Sequence, residues 1–490
     1  MATTDTDVLI VGAGPVGLVL ATDLVRRGVA VRIIDELAAP TTESRAIAVH
    51  SRSLDHLEAL GVFDAVMSRA VEAKGMAFHA EGRDIGYASF EHIIAVHRFS
   101  AALPQTDLEA VLTERLRRLG LEVERATTLT GFTEDAEGVD AAVTGAEGAP
   151  SRIRARFLVG TDGARSTVRH IIGERLDGQF TGDDFLLGDV EAEYDYDRSS
   201  FHTFFSPGPT TGLLFPLPGD RVRVFAQLPP GTDPDREVTQ EWMQQALLER
   251  GVQLSIRRSH WLSRFELKHG QVARYRSGRA FLAGDAAHIH SPAGALGMNT
   301  GIQDAVNLGW KLAAVVAGQG GEALLESYHA ERHPIGASVI EFTNRLSAVG
   351  TLANPVGQRI RNMLLHVGLE HTGVGEVMAG VVEQQTVRYR DSDIVQGRGD
   401  KVHPGDFLYL PHTRMADALG RSTGHVAIVL PGGETTDVLP QIEVTDAEAA
   451  SLAQATRRQH GGVIAVRPDG YVGYIGDANG LTGYLRALRD

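Results

Sequence analysis

Residues Asp7 to Glu36, DVLIVGAGPVGLVLATDLVRRGVAVRIIDE, leave little freedom in how this chain begins to fold. Val8 to Val11 is a wholly apolar run of the kind that becomes a parallel strand buried on both faces. It leads directly into Gly12-Ala13-Gly14-Pro15-Val16-Gly17, a G-x-G-x-x-G turn. Leu18, Leu20, Ala21, Leu24 and Val25 follow at helical spacing, Gly28 stops the helix, and Val29 to Ile34 forms a second apolar strand that ends in Asp35 and Glu36. The stretch therefore reads as a βαβ unit.

Each glycine has a mechanical reason. Gly12 permits the tight turn, Gly14 lets a pyrophosphate approach the backbone, and Gly17 lets the helix pack closely on the sheet. Pro15 and Val16 complete the loop, and the helix start offers unpaired N–H groups and a positive dipole end to phosphate. Asp35 stands 23 residues after Gly12, at a strand end, where a carboxylate can accept both hydroxyl protons of an adenosine ribose. A bare Gly-rich turn is the ordinary alternative. Strand, turn, helix, second strand and acid in this order favour dinucleotide binding.

With 490 residues the chain is expected to hold two or three domains. A net charge of −15 argues against nucleic acid and anionic membrane as partners. There is no cysteine, which excludes disulfides, thiolate metal sites, cysteinyl-flavin links and a redox-active dithiol. No apolar run reaches the ~18 residues of a membrane span, and MATTDTD lacks the basic region of a secretory signal, so a cytoplasmic location is expected.

After Glu36 a polar loop carries Arg45, either a solvated arginine or one that meets the phosphates or ring of a bound nucleotide. SRSLDHLEALGV reads as an amphipathic helix. Residues 71–96 suggest short strands outside the nucleotide fold. A helix is expected from Thr106 or Asp107 as cap to Gly120, with Gln105 just ahead of it, either a capping segment or an amide within reach of a ligand. A hairpin follows, turning near Asp135 to Gly138. In LVGTDGARSTVR the strand Phe157 to Val159 runs into the turn Asp162-Gly163 and a helix capped by Ser166; turn and cap account for these residues structurally, while their place at a strand end favours a ligand.

From Leu176 to about Lys268, short aromatic or β-branched segments separated by Pro-Gly turns predict an inserted, mostly antiparallel sheet. Its Phe201, Phe204, Phe205, Leu213, Leu214, Phe215 and Phe225 could build an apolar pocket, with only alternate residues of each strand facing a ligand. The stretch FLAGDAAHIHSPAGALGMNTGIQDAVNLGWKL returns to the first fold: a strand ending at Asp285, a Gly/Pro loop, and a long helix beginning near Asn299. His288 and His290 lack a third ligand at metal spacing, and no metal is expected. Helices fill Ala323 to about Val382, with Pro334 and Pro355 as breaks. A linker, Asp391 to Pro404, precedes a small α/β segment with strands at His425 to Leu430, Val463 to Val466 and Tyr471 to Ile475.

GAGPVG, LVGTDGARSTVR and the FLAGDAAHIHSPAGALGMNTG stretch, in this order and spacing, resemble the FAD-dependent aromatic hydroxylases, the group A flavoprotein monooxygenases with the para-hydroxybenzoate hydroxylase fold. The tail, with VRPDGYVGY, resembles the thioredoxin-like domain of the phenol and polyketide hydroxylase branch, here without Cys-x-x-Cys. The fold implied is α/β. A Rossmann-like FAD-binding domain (1–175 and 269–345, with 71–96 assigned in part to the next unit) carries an inserted, mostly antiparallel substrate domain (176–268). A helical connection (346–390) leads to a linker and thioredoxin-like domain (391–490).

The resemblance implies that Gly12, Gly14, Pro15, Val16 and Gly17 hold the FAD pyrophosphate and that Asp35 and Glu36 lie at the ribose. Arg45 and Gln105 match cofactor contacts, Leu129 a backbone contact to adenine, Asp162 the motif shared with pyridine nucleotide, and Asp285 the ribityl ligand. Pro292, Gly297, Met298 and Asn299 belong to the loop against the isoalloxazine, and Arg45 and Pro292 take catalytic positions beside the ring. The implied chemistry is hydroxylation of a phenolic or quinone substrate, of polyketide type, by a flavin C4a-hydroperoxide, with NAD(P)H and O2 as co-substrates and FAD bound without a covalent link. Competing readings are Baeyer–Villiger insertion or epoxidation on the same fold, an antibiotic-modifying monooxygenase, and a non-enzymatic nucleotide-binding protein. Homodimer formation stays open.

Overall fold

The computed structural model describes residues 4–42, 46–178, 184–266, 269–291, 293–410 and 415–490. Four parallel strands form the centre of the first sheet, in the order Ala280–Leu282, Pro150–Gly160, Thr6–Val11, Val31–Ile34. Thr6–Val11 lies inside, and Val8, Leu9 and Ile10 are wholly buried, as a strand covered on both faces requires. The helix Pro15–Arg26 packs against the helices Gln105–Arg118 and Leu296–Val316. An antiparallel hairpin, Thr128–Glu134 and Val139–Thr144, pairs onto Pro150–Gly160, and its turn is tied by Asp135 Oδ1, which accepts the N–H groups of Glu137 and Gly138.

The second sheet runs Ser255–Glu266, Asp184–Glu193, Arg221–Gln227, Thr211–Pro216, Phe201–Phe205, Gly75–Ala80, Arg83–Ser89. It is antiparallel except where Phe201–Phe205 pairs in parallel with Gly75–Ala80, so part of the 71–96 segment extends this sheet. Alternation assigns the side chains. Phe204, Leu214 and Val224 pack under the helix Gln240–Glu249 with Trp242 and Met243, whereas Phe201, Phe205, Phe215 and Phe225 belong to the core on the opposite face.

Two helix boundaries differ from the sequence expectation. Helix Glu322–Gly350 continues through Pro334. The turn before the proline is pinned by buried ion pairs, Arg332 to Asp304 and Glu331 to Lys311 and Arg467, and these offset the ~3 kcal/mol a proline costs in a helix interior. The helix expected near Asn299 begins at Leu296, because Ala295 turns into the left-handed region (φ +53°) and closes the loop one turn sooner. No helix among the described residues is long and apolar enough to cross a membrane.

The carboxyl-terminal sheet has the order Gln396–Gly397, Val472–Gly476, Gly462–Val466, Val426–Leu430, with Gln441 bridging in parallel to Ala427. His425 is buried at its edge, with Nε2 3.0 Å from the hydroxyl of Tyr484 and its ring against Trp310. Burial pulls this imidazole from 6.5 down to about 3, and Arg467 and Arg27 add repulsion. The unfolded chain takes up the proton near pH 6.5 and the folded chain does not, so the stability this ring contributes is complete above pH 6.5 and is lost as pH falls. At pH 5 the loss is about 2 kcal/mol. His425→Gln is expected to flatten the pH dependence of urea unfolding between pH 7 and 5; an unchanged slope would show that His425 does not govern it.

Candidate cofactor and substrate site

The three glycine-rich motifs meet at the carboxyl ends of the parallel strands. Gly12 has φ +102°, and a Cβ there would sit 2.5 Å from Thr161 O; a Cβ on Gly17 would collide with Gly12 O and stand 2.6 Å from Thr161 Oγ1. Gly284 and Gly301 press on Val16 in the same way, at 2.9 and 2.6 Å. Gly14 differs from all of these: a Cβ there would meet nothing within 4 Å. The middle glycine of the loop therefore faces open space while its neighbours serve packing, which is the arrangement a pyrophosphate approaching the backbone needs. No acidic side chain stands in the first turn of the helix that follows.

Asp35 is half-buried beside this loop. Its carboxylate accepts the N–H groups of Ala13 (2.7 Å) and Leu37 (2.9 Å), and Arg125 stands 3.4 Å away. Glu36 is exposed. Gln105 is the first residue of its helix rather than the residue ahead of it, since Pro104 takes the cap position; its Oε1 accepts the N–H of Ala46 and its Nε2 donates to Glu109. Leu129 lies in a strand with its side chain in the core. Asp162 caps the helix Thr167–Ile171 by accepting from Ser166 Oγ and the N–H groups of Thr167 and Val168, alongside the cap from Ser166 itself. Arg45 and Pro292 lie outside the described residues.

The second and third motifs are tied by Arg169, which donates to Ala286 O (3.1 Å) and Ala164 O (2.6 Å). Asp285 is exposed, in the short 3-10 turn after the strand Ala280–Leu282. His288 Nε2 lies 2.7 Å from Asp304 Oδ2, and the other oxygen of Asp304 accepts from Arg332 Nε at 2.7 Å, so this histidine belongs to a buried charge cluster. The ring of His290 lies beside Gly297, and Met298 is half-buried in the first turn of the long helix. Asn299 is fully buried and bonds at both ends: Oδ1 accepts the N–H of His50, and Nδ2 donates to Ala48 O and Ala295 O. It fixes the loop Gly294-Ala295 against the segment 48–50, and the N–H groups of Leu296, Gly297 and Met298 are left without acceptors in the helix.

A largely apolar cavity lies beside this loop, between the second sheet, the helix Glu322–Gly350 and the helix Val374–Val382. Phe201, Thr203, Phe205, Leu213 and Phe215 face it, while Phe204 and Leu214 face the opposite side. Its wall is mostly apolar, with Thr203, Gln227, Ser347 and His50 among the few polar side chains. His50 Nδ1 lies 2.7 Å from Ser100 Oγ and Nε2 lies 2.8 Å from Gly294 O. Ser100 Oγ also reaches Glu383 Oε1 at 2.5 Å, and Ser51 N–H donates to Glu383 Oε2 at 2.5 Å.

His50, Ser100, Glu383, Thr161 and Arg169 are absent from the sequence-derived set. Glu383 and Ser100 carry no local signal, because each joins His50 only through tertiary packing. His50 had one: a histidine in an otherwise apolar run, AIAVH, directly before a helix.

The relatives agree with this geometry. A family model described as FAD binding domain matches residues 5–343. The chain is 34% identical to 6-methylpretetramide 4-monooxygenase of Streptomyces rimosus, with 98% of this chain and 93% of that protein aligned. It is 33% identical to rifampicin monooxygenase of Streptomyces venezuelae over 96% of each. Among solved structures it resembles the anhydrotetracycline hydroxylase OxyS of Streptomyces rimosus, with a TM-score of 0.81, 30% identity and 99% of both chains covered. The chain belongs to the FAD-dependent aromatic hydroxylases, the group A flavoprotein monooxygenases.

Proposed function

We propose that the chain hydroxylates a fused-ring phenol or hydroxyquinone of polyketide type, with NAD(P)H as transient reductant. The observation that carries this reading is the apolar, phenylalanine-lined cavity beside the loop Gly294-Ala295. Relatives that act on 6-methylpretetramide and rifampicin support it.

In this reading Gly12, Gly14, Pro15, Val16 and Gly17 hold the FAD pyrophosphate, with Asp35 and Glu36 at the ribose, the backbone of Leu129 at the adenine, Asp162 in the motif shared with pyridine nucleotide, Asp285 at the ribityl chain, and Arg45 and Gln105 in contact with the cofactor. The open space at Gly14 fits such a group. Bound FAD would supply electron transfer and oxygen activation. The N–H groups of Gly297 and Met298, near Asn299, would stabilise negative charge at the end of the helix, and the resemblance puts Pro292 among the residues beside the isoalloxazine. The phenylalanines would exclude water from the reacting centre. FAD would be held non-covalently, consistent with the absence of cysteine. The tail's strand order, 472–476, 462–466, 426–430 and the bridge at 441, supports a thioredoxin-like domain, which without cysteine cannot act as a thioredoxin.

The test is to screen hydroxyanthraquinones and phenols for stimulated NAD(P)H oxidation and to analyse the product. A gain of one oxygen on an aromatic ring is expected; insertion into a ring C–C bond, or oxygenation of an alkene alone, would replace the reading by Baeyer–Villiger or epoxidation chemistry. Thr203→Phe, in mid-strand at the cavity wall, should abolish turnover of three- and four-ring compounds while FAD content stays unchanged. Undiminished turnover of the large compounds would place the substrate elsewhere.

A further inference from the structure

The strand register divides the wall of the apolar cavity into rows. Phe215 pairs with Arg223, whose guanidinium reaches Ala46 O (3.4 Å) in the segment that leads to His50, so this row borders the nucleotide fold. Thr203 and Leu213 pair in the middle row. Phe205 and Thr211 pair in the far row, which lies ~13 Å from Phe215 at the ordinary rise of a strand. The helix Glu322–Gly350 follows the same axis. Its Ser347 meets Ser291 (3.3 Å) ahead of the loop Gly294-Ala295, and Gly350, a turn further on, faces the far row, where a Cβ would stand 3.0 Å from Thr211 Cγ2 and 3.8 Å from Phe205 Cε1.

Hydrogen counting gives the far row its character. Thr211 N–H donates to Gln227 Oε1 (3.2 Å), which identifies that atom as the amide oxygen, and Thr211 Oγ1 lies 3.1 Å from the same oxygen. An amide oxygen only accepts, so the single hydroxyl hydrogen of Thr211 is engaged by Gln227. Thr351 gives its own to Ser347 O (3.0 Å). Both threonines line the cavity, and among the described residues no donor reaches either hydroxyl oxygen. Each therefore offers a ligand lone pairs and no hydrogen.

The charge beside them decides what kind of donor fits. Arg361, 5% exposed, holds its guanidinium 4.2 Å from the centre of the Phe205 ring and donates to Val349 O and Gly350 O, capping the end of the helix. A cationic amine would be repelled by this arginine. A carboxylate would meet two hydroxyl oxygens that have no hydrogen to give, and Phe205 rather than Arg361 lines the cavity there. We propose that the far row is a subsite for a neutral hydrogen-bond donor, a carboxamide NH2 or a hydroxyl, carried by the substrate at the end remote from the loop Gly294-Ala295. Thr211 and Thr351 accept its hydrogens and so set which end of an elongated ring system enters first.

This inference deepens the proposed function and rests on the cavity being the substrate site, and the experiment separates the two. Anthraquinone-2-carboxamide, 2-acetylanthraquinone and anthraquinone-2-carboxylate share one ring system and shape and differ only in NH2, CH3 or O−. Their dissociation constants on the FAD-loaded protein, without NAD(P)H, are read from flavin fluorescence. The carboxamide should bind about fivefold or more tightly than the acetyl compound, as one net hydrogen bond implies, and more tightly than the carboxylate. Thr211→Val and Thr351→Val keep the shape and remove one acceptor each. Either should bring the carboxamide toward the acetyl compound without weakening the latter, and the native preference is a reading of its own, so misfolding of one variant leaves the test standing. If Thr203→Phe abolishes binding, then equal affinities, a preference for the carboxylate, or a preference that survives in both valine variants overturns the subsite alone. Binding of none of the three, or binding that Thr203→Phe leaves unchanged, overturns the cavity reading, and the subsite with it.

Discussion

Replacing Arg467 with methionine is expected to lower the unfolding free energy by about 3–5 kcal/mol, because it leaves buried carboxylates without their main partner. Arg467 donates to both oxygens of Glu331, at 2.6 and 2.8 Å, and to both of Asp469, at 2.5 and 3.0 Å. Lys311 bonds Glu331 at 2.8 Å, Ser392 bonds its other oxygen, and Trp310 Nε1 donates to Asp469. Two cations and two anions thus sit, almost without exposure, where the carboxyl-terminal segment meets the helices of the nucleotide fold. Burial pulls Lys311 down to about 8, and Glu331 is held well below the carboxylate range by Arg467 and Lys311 against the opposing effect of burial. Guanidinium unfolding followed by tryptophan fluorescence is the measurement. A change under about 1 kcal/mol would show that the cluster does not fasten the tail to the core.

Gly14→Val and Gly17→Ala are expected to fail in different ways. The backbone at Gly14 is extended (φ −75°, ψ −176°) and its Cβ position is empty, so valine folds there and occupies the space proposed for the pyrophosphate. Loss of one charge-assisted hydrogen bond, about 1.5–3 kcal/mol, predicts flavin affinity lower by about ten- to 150-fold with the melting temperature of the apoprotein unchanged. At Gly17 even a methyl group meets Gly12 O and Thr161, so alanine should destabilise the apoprotein itself by about 1–3 kcal/mol. FAD titration and thermal unfolding of the apoproteins separate the outcomes. Undiminished affinity in Gly14→Val would remove the pyrophosphate from this loop.

Local patterns were readable where a segment's own residues decide its conformation. The strand Thr6–Val11, the hairpin around Asp135, the strands at 201–205, 211–216 and 221–227, and the cap at Ser166 follow from runs, turns and caps that the sequence displays. Alternation along Phe201–Phe205 even divided residues facing the cavity from those facing the second core. Pro334 misled, because what keeps that helix intact is ion pairing to Asp304, Lys311 and Arg467, residues up to 133 positions away. His50 and Glu383 stand 333 positions apart in the chain, and no local window contains both. The glycine turns were visible in the sequence; the hydrogen-bonded set of His50, Ser100 and Glu383 appears only when three distant segments are brought together.

The strand order of the first sheet also bears on how the chain is made. Thr6–Val11 leaves the ribosome first and occupies the inside of the parallel set, Val31–Ile34 then adds on one side, Pro150–Gly160 on the other, and Ala280–Leu282 beyond that. Each later strand docks on a free edge, and none has to be inserted between two already paired. The nascent sheet can therefore grow outward in the order of translation. The antiparallel sheet must wait: Gly75–Ala80 finds its partner Phe201–Phe205 only after more than a hundred further residues have been synthesised, so it is the segment whose exposed edge a chaperone would have to guard.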